Sequence, residues 1–203
     1  MKKLVYLLPV LALAAFAFTT KSVGLEIGKK APLAEAKMKD ISGKSYTLTD
    51  LKKDNGLLVI FSCNTCPFVI GWEDKYPELG ELTANNNIGM VLVNSNEAKR
   101  NGDDSLEAMK EHATKASYNT PYVIDENHKL ADAFGAETTP HVFLFNKDMK
   151  LVYKGSINDK FEDRDKEASK FYLNDAIGKL VQGEKIDPAS TRQIGCTIKR
   201  IKA

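Results

Sequence analysis

Cys63 and Cys66 carry the chemistry this sequence offers most directly. They stand in Cys63-Asn64-Thr65-Cys66-Pro67, immediately after the apolar run Leu57-Leu58-Val59-Ile60-Phe61. Spacing of two residues permits an intramolecular disulfide that opens and closes without moving the fold. A helix is expected to begin at or near Pro67, and the N–H groups of a helix N-terminus favour a thiolate over a thiol. On this reading Cys63 attacks a substrate sulfur and Cys66 resolves the mixed disulfide. Two other uses of the pair stay open: a purely structural disulfide, or half of a zinc site. The other half is not apparent, since His112, His128 and His141 are scattered and Cys196 stands alone. No metal is therefore assigned.

The elements that must position this pair can be read around it. Residues 57–61 form a short apolar run bounded by turn residues, which fits a central strand buried on both faces. Residues 88–94 give a second buried strand and 122–124 a short third. A helical pattern covers about 67–83. Asp104-Ser105-Leu106-Glu107 has the form of a capping box opening a helix to about residue 116. Further helices are expected at 129–134, stopped by Gly135, and at 171–181. Ser42-Gly43 divides a small N-terminal hairpin, and residues 141–145 and 150–154 form a closing hairpin. Strands alternating with helices and closed by a hairpin indicate an α/β sandwich with a central mixed sheet. One domain (25–183) is followed by a C-terminal tail (184–203) carrying Cys196. Trp72 is expected to pack. Glu73, Asp74 and Glu78 are expected on a solvated helix face, and 158–167 as a charged loop that could fringe the substrate groove.

A chain of 203 residues, 43% of them hydrophobic, can build one good core but not two. Its ends add an address. Lys2-Lys3 precedes an apolar stretch, 4–17, that closes on Ala15-Phe16-Ala17, the form of a cleavable export signal. The stretch is too short for a spanning helix, which needs about 20 apolar residues. Residues 1–17 are thus expected to be removed, with no stable membrane insertion afterwards and a periplasmic or other extracytoplasmic location. Lys2 and Lys3 account for the whole formal charge of +2, so the remainder is neutral. Basic residues are not interleaved with aromatics, which argues against nucleic acid as a partner. Export would place all three cysteines where disulfides persist or are actively managed.

Thr139-Pro140, leading into a strand, completes a pattern. With Gly28-Lys29-Lys30-Ala31-Pro32, Phe61-Ser62-Cys63-Asn64-Thr65-Cys66-Pro67 and Gly155, it resembles the thioredoxin-like superfamily over residues 25–182. The specific likeness is to its redoxin or peroxiredoxin-like branch (alkyl hydroperoxide reductase and thiol-specific antioxidant). The resemblance implies a thioredoxin-like sandwich and an oxidoreductase with Cys63 and Cys66 as catalytic residues. It also implies a cis bond before Pro140, with the backbone of Thr139 and Pro140 binding the substrate. No cofactor is implied. Partners would be protein or small-molecule disulfides and thiols, together with an electron donor. A thiol peroxidase with an antioxidant role is the alternative, and a Cu- or Zn-binding chaperone using His141 is the second.

The departures from the family are specific. Ser62 stands where thioredoxin has Trp, and Asn64-Thr65 where it has Gly-Pro. Leu57 replaces a buried Asp that helps proton transfer. The peroxidase pattern Pro-x-x-x-Thr-x-x-Cys finds Gly56 and Ile60 counting from Cys63, and Val59 and Cys63 counting from Cys66. Gly195-Cys196-Thr197-Ile198-Lys199 matches the end common to this branch. The stretch from Ile186 to Cys196 spans up to about 35 Å when extended. That is enough to return Cys196 to the mouth of the dithiol as a third redox cysteine or a lid.

Overall fold

The computed structural model describes residues 24–163 and 167–201. The expected export signal, 1–17, lies outside them. No helix among the described residues is long and apolar enough to cross a membrane.

The N-terminal hairpin pairs β1 (Met38–Lys39) with β2 (Ser45–Tyr46). The short helix α1 (Leu48–Leu51) follows, with Thr47 and Asp50 forming a reciprocal capping box. Next comes β3 (Gly56–Ser62), every residue of it buried. The helical stretch expected at 67–83 is broken into α2 (Pro67–Ile70) and α3 (Lys75–Asn85). Pro77 explains the break. In one continuous helix it would lack the N–H owed to Glu73 and clash with that carbonyl, whereas in the first turn of α3 it is tolerated.

Strand β4 (Ile88–Asn94) is followed by α4 (Leu106–Lys115), β5 (Tyr122–Ile124) and α5 (Lys129–Phe134). Gly135 ends α5 in the left-handed conformation, as expected of a glycine there. Ser105, not Asp104, is the N-cap of α4, accepting from the Ala108 N–H. Asp104 is used elsewhere. After β6 (Thr138–Thr139) come β7 (His141–Phe145), β8 (Leu151–Gly155), α6 (Tyr172–Gln182) and β9 (Cys196–Thr197).

The central sheet has the order β5-β4-β3-β7-β8. Its β3–β4 and β4–β5 pairs are parallel, and β3–β7 and β7–β8 are antiparallel. Side chains alternate across it. Leu58, Ile60, Met90 and Leu92 face a layer built from α3, α4 and α6. Leu57, Val59, Phe61 and Phe143 face α1 and α5. Burial on both faces is why β3 and β4 read as unbroken apolar runs. Phe61 meets Phe134 and Phe143 edge-on at 5.5 and 5.6 Å. Its truncation to Ala would cost about 3–5 kcal/mol. This is a thioredoxin-like α/β sandwich with a mixed central sheet.

The tail is bound to the same body. Its residue 189–191 stretch runs parallel beside β8: the Lys154 N–H donates to the Ala189 carbonyl, and the Thr191 N–H to the Lys154 carbonyl. Gly155, at φ +140, is pressed so close to Thr191 that a Cβ could not fit. Beyond this, β9 pairs antiparallel with β6. Ile198 is buried, and Arg200 bonds Asp132 and the Ala136 carbonyl.

Candidate functional site

Strand β3 ends at Ser62 and delivers Cys63, while Cys66 is the N-cap residue of α2 with Pro67 behind it. Proline is suited to that first helical position, where an N–H would be unpaired anyway. Because α2 is a single turn, the expected macrodipole is replaced by individual N–H groups. Both cysteines are buried, at 2% and 4% exposure, and all three cysteines of the chain are free thiols.

The residue between them is held from below. Asn64 donates its backbone N–H to Asp104 at 2.9 Å and its side-chain amide to the Asp103 carbonyl at 2.7 Å. Tyr122 donates its hydroxyl to the Asn64 amide oxygen at 3.0 Å. Asp104 also accepts from the side-chain amides of Asn94 and Asn96, at 2.8 and 3.0 Å. A buried carboxylate with several donors is satisfied and stays put.

Thr139 meets both sulfurs. Its hydroxyl lies 3.2 Å from Cys63 Sγ, and its carbonyl oxygen 3.1 Å from Cys66 Sγ. The Thr139–Pro140 bond is cis, as is Asp187–Pro188. Thr139 and Pro140 are both buried, because the chain's own tail covers them. Cys196 stands opposite Thr139 in the β6–β9 pair, and its Sγ is 2.6 Å from Cys66 Sγ. Cys63, Cys66, Thr139, Pro140 and Cys196 thus converge on one point. The backbone edge expected to receive an extended substrate is already paired with the tail.

Contacts divide the charge unequally between the two thiols. Cys66 lies against the Cys63 and Cys196 sulfurs and near the N–H groups of Val69 and Cys196. Together these lower its pKa to about 5 against the opposing effect of burial. Cys66 donates its S–H to the Thr139 carbonyl, a contact that favours the thiol. Donating to Cys66, together with burial, holds the Cys63 thiol far above its ordinary range; the Thr139 hydroxyl offsets this only in part. Burial and its bond to Cys66 push Cys196 up to about 11. The sequence reading assigned attack to Cys63 and resolution to Cys66; the contacts here shift the two thiols in opposite directions.

Other candidates lie apart. His141 pairs with Phe61 across β3–β7 and stacks against Phe143 at 4.5 Å, on the sheet face away from α3. Burial, with Lys154 nearby, lowers its pKa to about 3. His112 contacts Glu73 at 3.1 Å, so Glu73 is half-buried and not on a fully solvated face as expected. His128 pairs with Asp132 at 2.7 Å. Among the described residues no group of three or more His, Cys, Asp or Glu side chains is gathered to hold a metal. Trp72 packs as expected, donating to Asn158 at 2.8 Å and meeting Phe161 edge-on. Asn158 and Phe161 belong to the loop expected at 158–167, whose described part thus packs on the turn after α2.

Sequence reasoning missed Asp104, Asn64, Asn94 and Tyr122. A local cap explained Asp104, and no spacing rule links residues 64, 94, 104 and 122.

A model of the AhpC/TSA family matches residues 27–154. No curated protein matches the chain. Among solved structures, an uncharacterized conserved protein from Geobacillus kaustophilus is 29% identical with a TM-score of 0.82, covering 88% of this chain and 94% of its own. A hypothetical protein from Sinorhizobium meliloti 1021 is 28% identical at 0.80, over 89% and 97%. The thioredoxin domain of a thiol-disulfide oxidoreductase from Bacteroides vulgatus shares the fold at 19% identity and 0.54, over 64% and 89%.

Proposed function

Since the chain belongs to the AhpC/TSA family, a family of thiol redox proteins, we propose that it is an exported thiol–disulfide oxidoreductase working through Cys63 and Cys66. The observation that carries this reading is the placement of two free, adjacent thiols against Thr139, whose hydroxyl and carbonyl each contact one sulfur. Cys66, the better stabilised thiolate, attacks a substrate disulfide and expels one substrate sulfur, which takes up a proton. Cys63 then displaces the other, giving up its own proton. A Cys63–Cys66 disulfide remains, and the substrate has gained two electrons. A separate dithiol donor restores the pair, and the same steps run backwards oxidise a substrate. The export-like residues 1–17 support a periplasmic or other extracytoplasmic setting.

Purified protein is expected to exchange a small disulfide substrate with dithiothreitol as donor. Cys66→Ser is expected to lose this, and the double variant Cys63→Ser, Cys196→Ser to accumulate a mixed disulfide on Cys66. Exchange by Cys66→Ser at the wild-type rate would refute the reading.

A thiol peroxidase is the second reading, favoured by the Thr139 hydroxyl 3.2 Å from Cys63 in a site covered by the chain's own tail. A thiolate attacking hydrogen peroxide would become a sulfenic acid, and the second thiol would condense with it to a disulfide and water. Micromolar peroxide would then oxidise the pair within seconds; bulk-thiol rates would set this reading aside.

A further inference from the structure

Three sulfurs, not two, meet at the end of β3. The third is brought by a segment from the far end of the sequence, and it arrives in a defined register. Cys196 is opposite Thr139 in an antiparallel pair, so its side chain is directed by the backbone that borders the dithiol. Its sulfur is 2.6 Å from Cys66, about 0.5 Å beyond the length of a disulfide bond.

The tail is held there by contacts on both sides of Cys196. On one side, Thr191 accepts the Ser156 N–H at 3.0 Å, and the Ser156 hydroxyl donates to the Arg192 carbonyl at 2.6 Å. On the other, the Lys199 N–H donates to Asn96 at 2.8 Å and its carbonyl accepts from Ala98 at 2.9 Å. Gly195 is a second, independent sign of fit. A Cβ there would lie 2.3 Å from the Thr139 carbonyl oxygen and 3.1 Å from the Pro140 nitrogen. Only a residue without a side chain lets the tail press on the Thr139–Pro140 peptide. Cys196 therefore occupies the place where the cysteine of an extended substrate would be presented.

We propose that Cys66 is a shared pivot, and that the oxidised protein exchanges internally between a Cys63–Cys66 and a Cys66–Cys196 disulfide. The proposal rests on the reading that Cys63 and Cys66 form the redox pair, and it adds a third catalytic thiol. Cys196, losing its proton, attacks Cys66 Sγ of the Cys63–Cys66 bond. The Cys66–Cys196 bond forms, the Cys63–Cys66 bond breaks, and Cys63 leaves as a thiolate that takes the proton. One disulfide is consumed and one formed, so no outside oxidant or reductant enters. In the second form Cys63 is a free thiol beside the Thr139 hydroxyl, and the tail is covalently fastened over the mouth.

The test is disulfide mapping after oxidation in a glutathione buffer, acid quenching, alkylation and proteolysis. Wild type is expected to hold one disulfide and one thiol, with both Cys63–Cys66 and Cys66–Cys196 peptides recovered. Cys63→Ser is expected to form the Cys66–Cys196 bond within the monomer, with a glutathione equilibrium constant within tenfold of that for Cys63–Cys66 in Cys196→Ser. Gly195→Val keeps all three thiols but displaces the tail; it is expected to lose at least tenfold of the Cys66–Cys196 form and retain Cys63–Cys66. Wild type yielding only Cys63–Cys66, with Cys63→Ser left as two free thiols or intermolecular dimers, would overturn the proposal while leaving the redox pair intact. Failure of Cys196→Ser to close Cys63–Cys66 would instead overturn the underlying reading, and the proposal with it.

Discussion

Asp104 accepts the backbone N–H of Asn64 at 2.9 Å, reaching across 40 positions of sequence to hold the middle of the Cys63–Cys66 segment. The same carboxylate receives Asn94 and Asn96, which ties the segment to the end of β4. Arg100 then donates to the Asp104 and Asn94 carbonyls at 2.7 and 2.8 Å. The loop that carries the thiols is thus set by buried polar bonds and not by the helix that follows it.

Replacing Asp104 tests that. Asp104→Asn offers one acceptor in place of two charged oxygens, leaving a buried donor unpaired. A loss of about 2–4 kcal/mol is expected by urea unfolding, since hydrogen bonds to charged groups contribute about 1.5–3 kcal/mol each. The negative charge of Asp104 also raises the Cys63 pKa, so Cys63 should alkylate at lower pH in the variant. Unchanged stability would mean the network carries no load.

Stability of the reduced protein should depend on pH through Cys66. Its folded pKa of about 5 lies below the ordinary 9.0, so between those values the unfolded chain binds more protons. Stability therefore rises with pH across that window and is lost as pH falls through about 5. Cys196 acts with the opposite sign: at about 11 in the fold, its contribution fades as pH climbs from 9 to 11. Unfolding free energies of reduced wild type against Cys66→Ser should show the lower slope disappear in the variant. Equal slopes would place the charge elsewhere.

A Cys66–Cys196 bond closes a loop across 130 positions of sequence, which restricts the unfolded chain far more than a Cys63–Cys66 bond does. Loop-closure entropy assigns it roughly 5 kcal/mol. Oxidised Cys63→Ser is expected to melt several degrees above its reduced form, whereas oxidised Cys196→Ser should shift little. Thermal unfolding with and without dithiothreitol measures both.

His141 offers a contrast at the other sheet face. Burial keeps it neutral in the fold, with a pKa of about 3 against 6.5, and its Nδ1 has no hydrogen-bond partner. The unfolded chain takes up that proton first, so His141 costs stability as pH falls from about 6.5 towards 3. His141→Phe should remove that acid-side loss and leave disulfide exchange unchanged. A drop in exchange would tie His141 to the thiols.

Local patterns decided a great deal here. The apolar runs at 57–61 and 88–94 point to strands buried on both faces, because runs so short and bounded by turn residues suit a strand better than a helix. Gly135 stops α5 for the reason glycine stops helices, and Cys63-x-x-Cys66 after β3 marks the dithiol by spacing alone. The length from Ile186 to Cys196 showed that the tail had the reach to return. Reach is not docking. What joined Cys196 to Cys66 was the fit of Gly195 on the Thr139–Pro140 peptide, the bonds of Thr191 and Lys199, and the burial of Ile198. The opposite shifts of the Cys63 and Cys66 thiols likewise arise in three dimensions, because they depend on the neighbours each sulfur meets at residues 69, 139 and 196. Spacing along a chain can bring two thiols within reach; only tertiary packing, which sums many weak contacts between distant segments, brings in the third and sets their acidities apart.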